Sequence, residues 1–317
     1  KIREGNDKYI ANLLSVKHGS VLEHAVTHWV FADVSRVFCF HPSSEILTRR
    51  GWRPVEALIV GEPILTMNPK TKLARWSPVR DFLRFSYDGE VYAFESSQWK
   101  SPAVTPEHTL WCARYDLRRG RDLSCEEIAD SYTEKIRAMD VLGKRIVVDH
   151  RIRMENPVSG PNVVIGEHSY DAGDFLEWLG WMVTDGTISK DRNRCAISQS
   201  KEGNFPKIKM LMDRLFGDRW KFYPSKLSVF VIHDPELKEW IVGTLGRTKE
   251  ERDLTPLLQF APSLLRRFVD GAVLGDGSIH ESGHVVLYSG YSPLAKSFQS
   301  ILAACGMSSN IRVVSRV

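Results

Sequence analysis

The same short pattern occurs twice in this chain, at residues 180–188 and again at residues 271–279. Each copy consists of a glycine, three apolar residues, a small residue, Asp-Gly, a hydroxyl residue and Ile. An internal repeat of this kind indicates two copies of one structural unit that pack against each other. The repeat therefore predicts two related units in the later part of the chain, each built around the same helix ending.

Each copy is predicted to close an amphipathic helix. Asp174 and Ser263 precede the copies at positions suited to N-caps, whose side-chain oxygens accept hydrogen bonds from free backbone N–H groups. The apolar residues recur at helical spacing and give each helix one buried face. These faces consist of Phe175, Leu176, Leu179 and Val183 in the first copy and of Leu264, Leu265, Phe268 and Ala272 in the second.

Glycine occupies two positions around each predicted helix ending. Gly180 and Gly271 lie in the middle of their helices, where glycine costs about 1 kcal/mol relative to alanine. We expect close contact between the two helices to offset that cost. Gly186 and Gly277 follow the helices, and we expect both to adopt the left-handed conformation in which helices commonly stop.

An aspartate stands at the end of each copy. If the two helices pack side by side, Asp185 and Asp276 emerge together at the negative pole of both helix dipoles. Two carboxylates repel each other there, and divalent cations that prefer oxygen ligands, such as Mg²⁺, neutralise them. Paired metal ions can hold the attacking water and the leaving oxygen of a phosphodiester. One Asp-Gly alone is typical of a helix-ending turn, but two in matching helical frames favour a metal site.

These two segments resemble the paired motifs of single-chain LAGLIDADG homing endonucleases and align with the last seven positions of that motif. The resemblance implies a pseudo-twofold endonuclease of αββαββα units over residues 166–317, with β-sheet saddles that grip double-stranded DNA. It also implies that Asp185 and Asp276 are catalytic and bind the metal, with Mg²⁺ as cofactor. Such endonucleases are encoded within another gene, called the host gene. The DNA target would be a site in a copy of the host gene that lacks this insertion.

The pattern of apolar residues predicts further elements after each aspartate. The expected strands are 195–200, 227–232 and 285–288, and the expected helices are 205–216, 235–245 and 293–305. Because the chain ends at Val317, we expect the second unit to be incomplete and the sequence to be a fragment. Residues 150–170 contain several Pro and Gly residues and are predicted to be a connector.

A β-rich region precedes the repeat. Short strand-like runs separated by Gly, Pro and Asn-Pro extend from Cys39 to about Asp149, which predicts strands joined by turns. Within this region, residues 55–64 echo residues 137–146 in their order of residue types. A duplicated β unit would produce such an echo.

Cys39 and a Thr-Pro-x-His run at residues 105–108 resemble the N-terminal splicing blocks of inteins. Inteins share the Hint fold with hedgehog autoprocessing domains. The resemblance implies an all-β Hint horseshoe over residues 39–165 and autocatalytic protein splicing that needs no cofactor. Each motif also has an ordinary alternative, a small core cysteine in one case and a turn in the other.

Splicing chemistry requires these residue types. The thiol of Cys39 can attack the carbonyl of Phe38 and convert the Phe38–Cys39 amide into a thioester. By resemblance, His108 protonates the leaving amide nitrogen, because an imidazole exchanges protons near neutral pH. The resemblance also implies that Thr105 orients and polarises the scissile peptide.

Residues 1–38 look helical and contain Lys-His-Gly followed by Ser-Val-Leu-Glu-His. This run resembles flavin-dependent thymidylate synthases, so the chain looks like such an enzyme interrupted by an intein. The resemblance implies a homotetramer that reductively methylates dUMP to dTMP with FAD, NADPH and methylenetetrahydrofolate. Ser20, Glu23 and His24 would then lie near the flavin. The alternative is a helix start with a capping box and a core histidine.

Composition limits the class of protein. Hydrophobic residues make up 43% and charged residues 26% of the 317 residues, an ordinary globular balance. No stretch approaches the roughly 18 unbroken apolar residues of a membrane span, and no secretory signal is visible. The five cysteines form no compact framework, so we expect a reducing, cytoplasmic location and no membrane partner. The net charge of +4 permits a nucleic-acid partner.

Together these patterns predict a multidomain α+β protein: a short helical host segment (1–38), a splicing domain (39–165) and an incomplete pseudo-twofold endonuclease (166–317). Three classes of function remain open: a self-processing intein with an endonuclease, a metabolic flavoenzyme, and a freestanding LAGLIDADG endonuclease with a non-splicing Hint-like domain. A basic stretch between Arg114 and Arg153 either holds DNA phosphates or forms a solvated face.

Overall fold

A computed structural model describes residue 41 and residues 44–82, 87–94, 103–114, 123–281 and 284–312. The chain divides into two units, residues 1–37 and residues 38–317, and every described residue lies in the second. The helical segment predicted for residues 1–38 lies outside the described residues. The described residues form a mixed α+β fold of several small antiparallel sheets with helices, so the predicted α+β class is confirmed.

Four antiparallel strands form the first sheet. They are β1 (Glu45–Thr48), β2 (Gly51–Pro54), β3 (Pro63–Met67) and β4 (Ala74–Pro78), in the order β2-β1-β3-β4. The turn between β1 and β2 is tight, because Thr48 Oγ1 donates to Gly51 O at 2.9 Å. Gly51 has φ of 84°, a conformation that glycine adopts without steric cost. A 3₁₀ turn, Val55–Ala57, links β2 to β3.

Three strands form the second sheet, and two short helices accompany it. The strands are β5 (Thr109–Arg114), β6 (Glu134–Arg137) and β7 (Ile146–Val148), in the order β6-β5-β7, and the helices are α1 (Cys125–Tyr132) and α2 (Ala138–Val141). The expected all-β character of residues 39–165 is therefore wrong. Helix α1 begins with a capping box, in which Glu127 N donates to Ser124 Oγ and Ser124 N donates to the Glu127 carboxylate. This Ser-x-x-Glu signal is visible in the sequence.

The two sheets repeat one arrangement. In each, the first strand is central and pairs with the second strand on one side and the third on the other. A helical turn follows the second strand in both cases. Gly61 and Gly143 then lie before the third strand with φ of 88° and 70°, which favours glycine. The echo between residues 55–64 and 137–146 thus corresponds to a duplicated β unit, as predicted.

A two-stranded hairpin occupies the later part of the predicted connector. Its strands are β8 (Asn162–Ile165) and β9 (His168–Asp171). Val163, Ile165 and Tyr170 are buried in the main core, and this burial stabilises strands that the Gly and Pro content concealed. The connector prediction is therefore wrong for this segment.

The repeat forms two units with related element order. The first contains α3 (Ala172–Thr184), β10 (Gly186–Ile188), β11 (Arg194–Gln199), α4 (Phe205–Phe216), β12 (Trp220–Tyr223), β13 (Ser228–His233) and α5 (Pro235–Leu245). The second contains α6 (Pro262–Asp276), β14 (Gly277–Ile279), β15 (Val285–Leu287) and α7 (Ser292–Ala304). The first unit has the predicted αββαββα order, with its sheet in the order β10-β11-β13-β12. Strands β10, β12 and β14 were not among the expected strands.

The main apolar core surrounds helices α3 and α6. Helix α3 is buried on nearly all sides, with Phe175, Trp178 and Trp181 each at most 1% exposed. A helix that is apolar all round belongs in the centre of a domain. Two glycine-containing helices at the centre of one core therefore organise both units.

The first sheet packs against helix α7 of the second unit. Trp52 Nε1 donates to Ser300 Oγ at 3.0 Å, and Lys296 Nζ lies 2.6 Å from Glu45 Oε2. Leu47 belongs to the same buried cluster as the repeat helices. The β-rich region and the repeat thus share apolar core in the described part of the chain. None of the described helices has the length and apolar character needed to cross a membrane.

Candidate functional site

Two glycines allow the backbones of α3 and α6 to touch. A Cβ atom on Gly180 would lie 2.1 Å from Phe268 O, and one on Gly271 would lie 2.1 Å from Glu177 O. Both distances are far below any ordinary contact, so glycine is required at each position. The expectation that close helix contact offsets the cost of the mid-helix glycines is confirmed.

The helices begin at other residues than the sequence suggested. The N-cap of α3 is Asp171, whose Oδ1 accepts from Asp174 N at 2.9 Å. Asp174 instead lies inside the first turn, and its carboxylate pairs with Arg214 and Arg267. Helix α6 starts at Pro262 after Ala261, which has no polar side-chain atom to cap the helix. Proline is preorganised for a first helical position, so the predicted N-caps Asp174 and Ser263 are wrong.

Close approach, rather than a left-handed conformation, explains the glycines after the helices. Gly277 has φ of −110°, and Gly186 is not among the residues with positive φ. A Cβ on Gly186 would lie 2.2 Å from Met182 O, and one on Gly277 would lie 2.6 Å from Val273 O. The expected left-handed endings are therefore wrong. After each helix the backbone enters a strand directly and passes close to the last turn of that helix.

Asp185 and Asp276 line the same cleft, as the repeat predicts. The cleft has a volume of about 390 Å³ and is also lined by Gln199, Lys201 and Tyr288, among others. The backbones around the two aspartates match, since Ser198 N donates to Asp185 O at 3.0 Å and Tyr288 N donates to Asp276 O at 3.1 Å. The repeat thus places equivalent carboxylates at the ends of two packed helices.

The Asp185 carboxylate is held in a partly buried position. Gln199 Nε2 donates to Asp185 Oδ2 at 2.8 Å. Burial, followed by the negative charge of Asp276, raises the pKa of Asp185 from 3.8 to about 6. Lys249 and Lys201 act in the opposite direction. A carboxylate whose charge is this poorly satisfied by its surroundings is a candidate for binding a cation.

The Asp276 side has different partners. Lys249 Nζ lies 3.2 Å from Asp276 Oδ2. Lys201 Nζ donates to Gly275 O at 3.2 Å, and Asn204 Nδ2 donates to Leu274 O at 3.1 Å. Lys201 and Asn204 thus satisfy carbonyls at the negative pole of α6, while Lys249 pairs with the Asp276 carboxylate. Neither they nor Gln199 were predicted, because no repeat pattern marks them in the sequence.

The donor set suits a cation with oxygen ligands. Asp185 and Asp276 supply carboxylates, and the lining also includes Ser198 and Ser200 with their hydroxyls. In the described part of the chain no cluster of three or more His, Cys, Asp and Glu residues is suited to a metal. Mg²⁺ commonly uses one or two carboxylates and completes its shell with water and phosphate oxygens. Two carboxylates in an open cleft fit that preference.

Thr105 and His108 lie together at the start of β5. Thr105 is 9% and His108 7% exposed, and His108 N donates to Thr105 O at 3.0 Å. Burial lowers the pKa of the His108 imidazole below 6.5. His41 N donates to Ala103 O at 3.1 Å, so residue 41 lies beside the segment that leads to Thr105.

The remaining predicted site residues have no described position. Phe38 and Cys39, predicted for splicing, lie outside the described residues. The same holds for Ser20, Glu23 and His24, predicted for flavin binding. Among the predicted site residues, the structure therefore brings together two groups: Asp185 with Asp276, and Thr105 with His108.

Acidic neighbours pair with several arginines of the basic stretch. Arg151 Nε lies 2.7 Å from Asp149 Oδ1, and Arg153 Nη2 lies 2.5 Å from Asp130 Oδ1. Arg137 pairs with Asp140 at 2.8 Å. These contacts favour a structural role for the three arginines over phosphate binding.

No protein-family model and no curated protein matches the chain. A search of solved structures finds the crystal structure of I-DmoI in complex with DNA and Mn, with a TM-score of 0.25 and 16% sequence identity. The match covers 34% of this chain and 63% of that chain, so this chain spans less than two thirds of the length of the solved protein.

Proposed function

We propose that residues 166–317 form a LAGLIDADG-type homing endonuclease that cleaves both strands of duplex DNA in the cleft of Asp185 and Asp276. One observation carries the proposal: two helices in backbone contact bring equivalent carboxylates into one open cleft. Twofold-related strands of a DNA duplex present two phosphodiesters in a similar relation. A pair of related units suits such a substrate better than a single catalytic group does.

The residues of this chain would act by holding charge in place. The two aspartates would bind divalent cations, with Gln199 fixing the Asp185 carboxylate through its 2.8 Å hydrogen bond. Lys201 and Lys249 supply positive charge beside the cleft, which favours an approaching phosphate. Mg²⁺ bound there would activate water and stabilise the leaving oxygen.

Cleavage of genomic DNA tests this proposal. The full chain is incubated with Mn²⁺ or Mg²⁺ and genomic DNA from relatives whose host gene is uninterrupted, and the ends of double-strand breaks are sequenced. We expect breaks at one recurring site that require the cation and disappear in Asp185→Asn and Asp276→Asn. Recurrent breaks that persist in both variants would show that this cleft is not the site of cleavage.

We further propose that residues 39–165 start protein splicing at the Phe38–Cys39 bond. The supporting observation is the buried Thr105–His108 pair, which closely follows Ala103, the residue that bonds to His41. In the proposed step, the Cys39 sulfur forms a bond to the Phe38 carbonyl carbon and the amide C–N bond breaks. The thiol proton is lost to solvent, and the leaving nitrogen takes a proton by way of His108. The duplicated β arrangement is compatible with a Hint-type fold.

Mass spectrometry of the full chain with and without an added thiol tests the splicing step. Thiol should intercept the thioester and release residues 1–38, because thioesters exchange with free thiols while amides do not. Cys39→Ala should abolish release and His108→Ala should slow it. Equal masses for the wild-type chain with and without thiol would contradict the proposal and favour a freestanding endonuclease with a non-splicing Hint-like domain.

For residues 1–38 we propose a flavin-dependent thymidylate synthase segment, on the motif alone. Ser20, Glu23 and His24 would approach FAD in a cytoplasmic homotetramer that also uses NADPH, dUMP and methylenetetrahydrofolate. The sequence of the gene downstream of the chain tests this directly. An Arg-His-Arg run after a His-Asn splice junction would support it, and an unrelated reading frame would contradict it.

A further inference from the structure

Arg252 is a buried arginine in the segment between the two units. Its side chain belongs to a residue only 3% exposed, and the backbone around it is anchored. Arg252 N donates to Thr248 O at 3.0 Å, and Asp253 N donates to Leu245 O at 2.9 Å. The next residue, Leu254, is fully buried. The arginine therefore has a fixed starting point from which its side chain reaches into the core.

The guanidinium of Arg252 holds the end of helix α3. Its Nη1 donates to Met182 O at 2.9 Å and also to Val183 O. These carbonyls belong to the last turn of the helix, whose final hydrogen bond runs from Asp185 N to Trp181 O at 2.9 Å. The last carbonyls of a helix have no partner within it, and an arginine can supply one.

Burial of this charge is costly in itself. In the described part of the chain no ion pair involves Arg252, and its Nε has no hydrogen-bond partner there. Burial lowers the pKa of the guanidinium to about 10. Apolar residues of similar volume often replace even buried ion pairs without loss of stability, and a buried charge with no partner charge is costlier still. The arginine is therefore better explained by what it positions than by what it adds to stability.

In the second unit a neutral side chain binds the corresponding carbonyl at the end of helix α6. Leu274 O, the equivalent of Val183 O in the repeat, accepts from Asn204 Nδ2 at 3.1 Å. In both units a side chain from outside the helix thus holds the carbonyl two residues before the aspartate. The shared geometry indicates that the position of this carbonyl matters to the cleft.

We propose that Arg252 is a positioning residue for the cation site: by holding the last carbonyls of α3, it fixes where the helix ends and where the Asp185 carboxylate stands. This inference rests on the proposed function of the cleft. Arg252 does not line the cleft, so it acts through the helix end. Losing it lets the last turn of α3 fray, and the carboxylate then leaves the position at which Asp276 shares a cation.

Binding of Mn²⁺ to the full chain, followed by the EPR signal of free Mn²⁺, tests the inference. Arg252→Gln keeps donors but shortens the reach and removes the charge, so we expect the dissociation constant to rise about tenfold, as for outer partners of metal ligands. Arg252→Lys keeps the charge but lacks the planar fork and should bind between wild type and Arg252→Gln. Thermal unfolding of each variant is measured in parallel.

Arg266→Gln is the matched control. Arg266 Nη2 donates to Cys305 O at the end of α7 at 2.9 Å, and Arg266 does not line the cleft. We expect this variant to bind Mn²⁺ as wild type does. Asp185→Asn distinguishes failure of this inference from failure of the proposed cation site. It should weaken Mn²⁺ binding whether or not Arg252 is a positioning residue.

Each outcome decides the matter. Folded Arg252→Gln with wild-type Mn²⁺ binding overturns the positioning role. If Arg252→Gln does not fold, Arg252→Lys decides: weaker Mn²⁺ binding supports the role, and unchanged binding overturns it. Wild-type Mn²⁺ binding by Asp185→Asn, or no binding by the wild-type chain, overturns the proposed cation site itself and this inference with it.

Discussion

The two units of the repeat have the same backbone geometry around their aspartates but different side-chain surroundings. Asp185 accepts a hydrogen bond from Gln199 and is partly buried, so that its pKa is raised. The Asp276 side chain is 36% exposed and pairs with Lys249. Yet the backbone carbonyl of each aspartate accepts from a backbone N–H of the returning chain, within β11 in the first unit and directly after β15 in the second. Helix packing therefore preserves the backbone arrangement of α3 and α6, which we call the frame, while the two carboxylates differ in burial and in their partners.

This difference indicates which parts of the site tolerate change. The frame depends on backbone contact between α3 and α6, where no side chain fits. The surroundings depend on residues such as Gln199 and Lys249, which lie outside both helices. We expect changes to the frame to have the largest effects, changes to the carboxylates the next largest, and changes to the surroundings the smallest.

Substitution of a frame glycine should have the largest effect. Gly180→Ala and Gly271→Ala each place a methyl group 2.1 Å from a backbone oxygen, and we expect a loss of at least about 3 kcal/mol in the free energy of unfolding. Gly243→Ala in α5 is the matched control, because nothing lies within 4 Å of its Cβ position. Removing a helix glycine there should add up to about 1 kcal/mol. Equal denaturation midpoints for the three variants would show that the helices are not in contact.

Removal of either carboxylate should abolish most cleavage while leaving the fold intact. For Asp185→Asn and Asp276→Asn we expect the rate of double-strand cleavage to fall at least about 100-fold, the upper range for loss of a partner around a metal. If the units act on separate strands, each variant should leave nicked DNA. Gel separation of nicked, linear and circular plasmid containing the target site measures this. Full cleavage of both strands by either variant would mean that the two units are not equivalent in function.

Binding of Mn²⁺ should depend on pH through Asp185. Its pKa is raised from 3.8 to about 6, first by burial and then by Asp276, so the proton competes with the cation below pH 6. Apparent affinity should fall by up to about tenfold for each pH unit below that value. In the metal-free protein, the folded state binds the Asp185 proton more tightly than the unfolded state does, because the pKa is raised on folding. Its contribution to stability is therefore full below pH 3.8 and is lost as pH rises through about 6.

Asp185→Asn provides the control for this pH dependence. The variant should lose the part of the Mn²⁺ profile centred near pH 6 and should also lose the decrease in metal-free stability over the same range. Calorimetric titration between pH 4.5 and 7.5, together with thermal unfolding without metal, measures both. An unchanged profile in the variant would assign the titration to another group.

Removal of the lysine beside Asp276 should have the smallest effect. The ion pair between Lys249 and Asp276 is about one-third exposed on both sides, so Lys249→Met should change the free energy of unfolding by less than about 1 kcal/mol. Lys296→Met, which breaks the similarly exposed pair with Glu45 away from the cleft, is the matched control. We expect Mn²⁺ binding to tighten in Lys249→Met alone, because a competing positive charge is gone. Identical Mn²⁺ binding in both variants would remove Lys249 from the site.

Periodicity predicted most of the repeat but little of its edges. The helices expected at 205–216 and 235–245 are confirmed residue for residue as α4 and α5, since long amphipathic runs carry many consistent signals. The strands are confirmed within one or two residues at their ends. Strands β10, β12 and β14 were missed. The four residues of β12, Trp220–Tyr223, show little alternation, and the three-residue strands β10 and β14 are too short to show a pattern. These strands form by pairing with β13, β11 and β15.

At two places the sequence contained the correct local signal, but the prediction followed a different one. Asp174 is a good N-cap type, but Asp171 takes that role because hairpin β8–β9 delivers the chain to the helix three residues earlier. Helix α1 lies in a stretch that looked β-rich as a whole, although its own capping box was present. In both cases the neighbouring strands, rather than the propensity of single residues, set the boundary.

The sequence by itself determined the duplicated helix ending, the need for glycine at Gly180 and Gly271, and the pairing of Asp185 with Asp276. Those features follow from a repeat whose symmetry can be recognised without coordinates. Tertiary structure alone decided that Gln199 and Lys249 stand beside the two carboxylates and that Arg252 caps α3. These contacts join residues far apart in the chain, and their strength depends on burial, which no periodic pattern encodes.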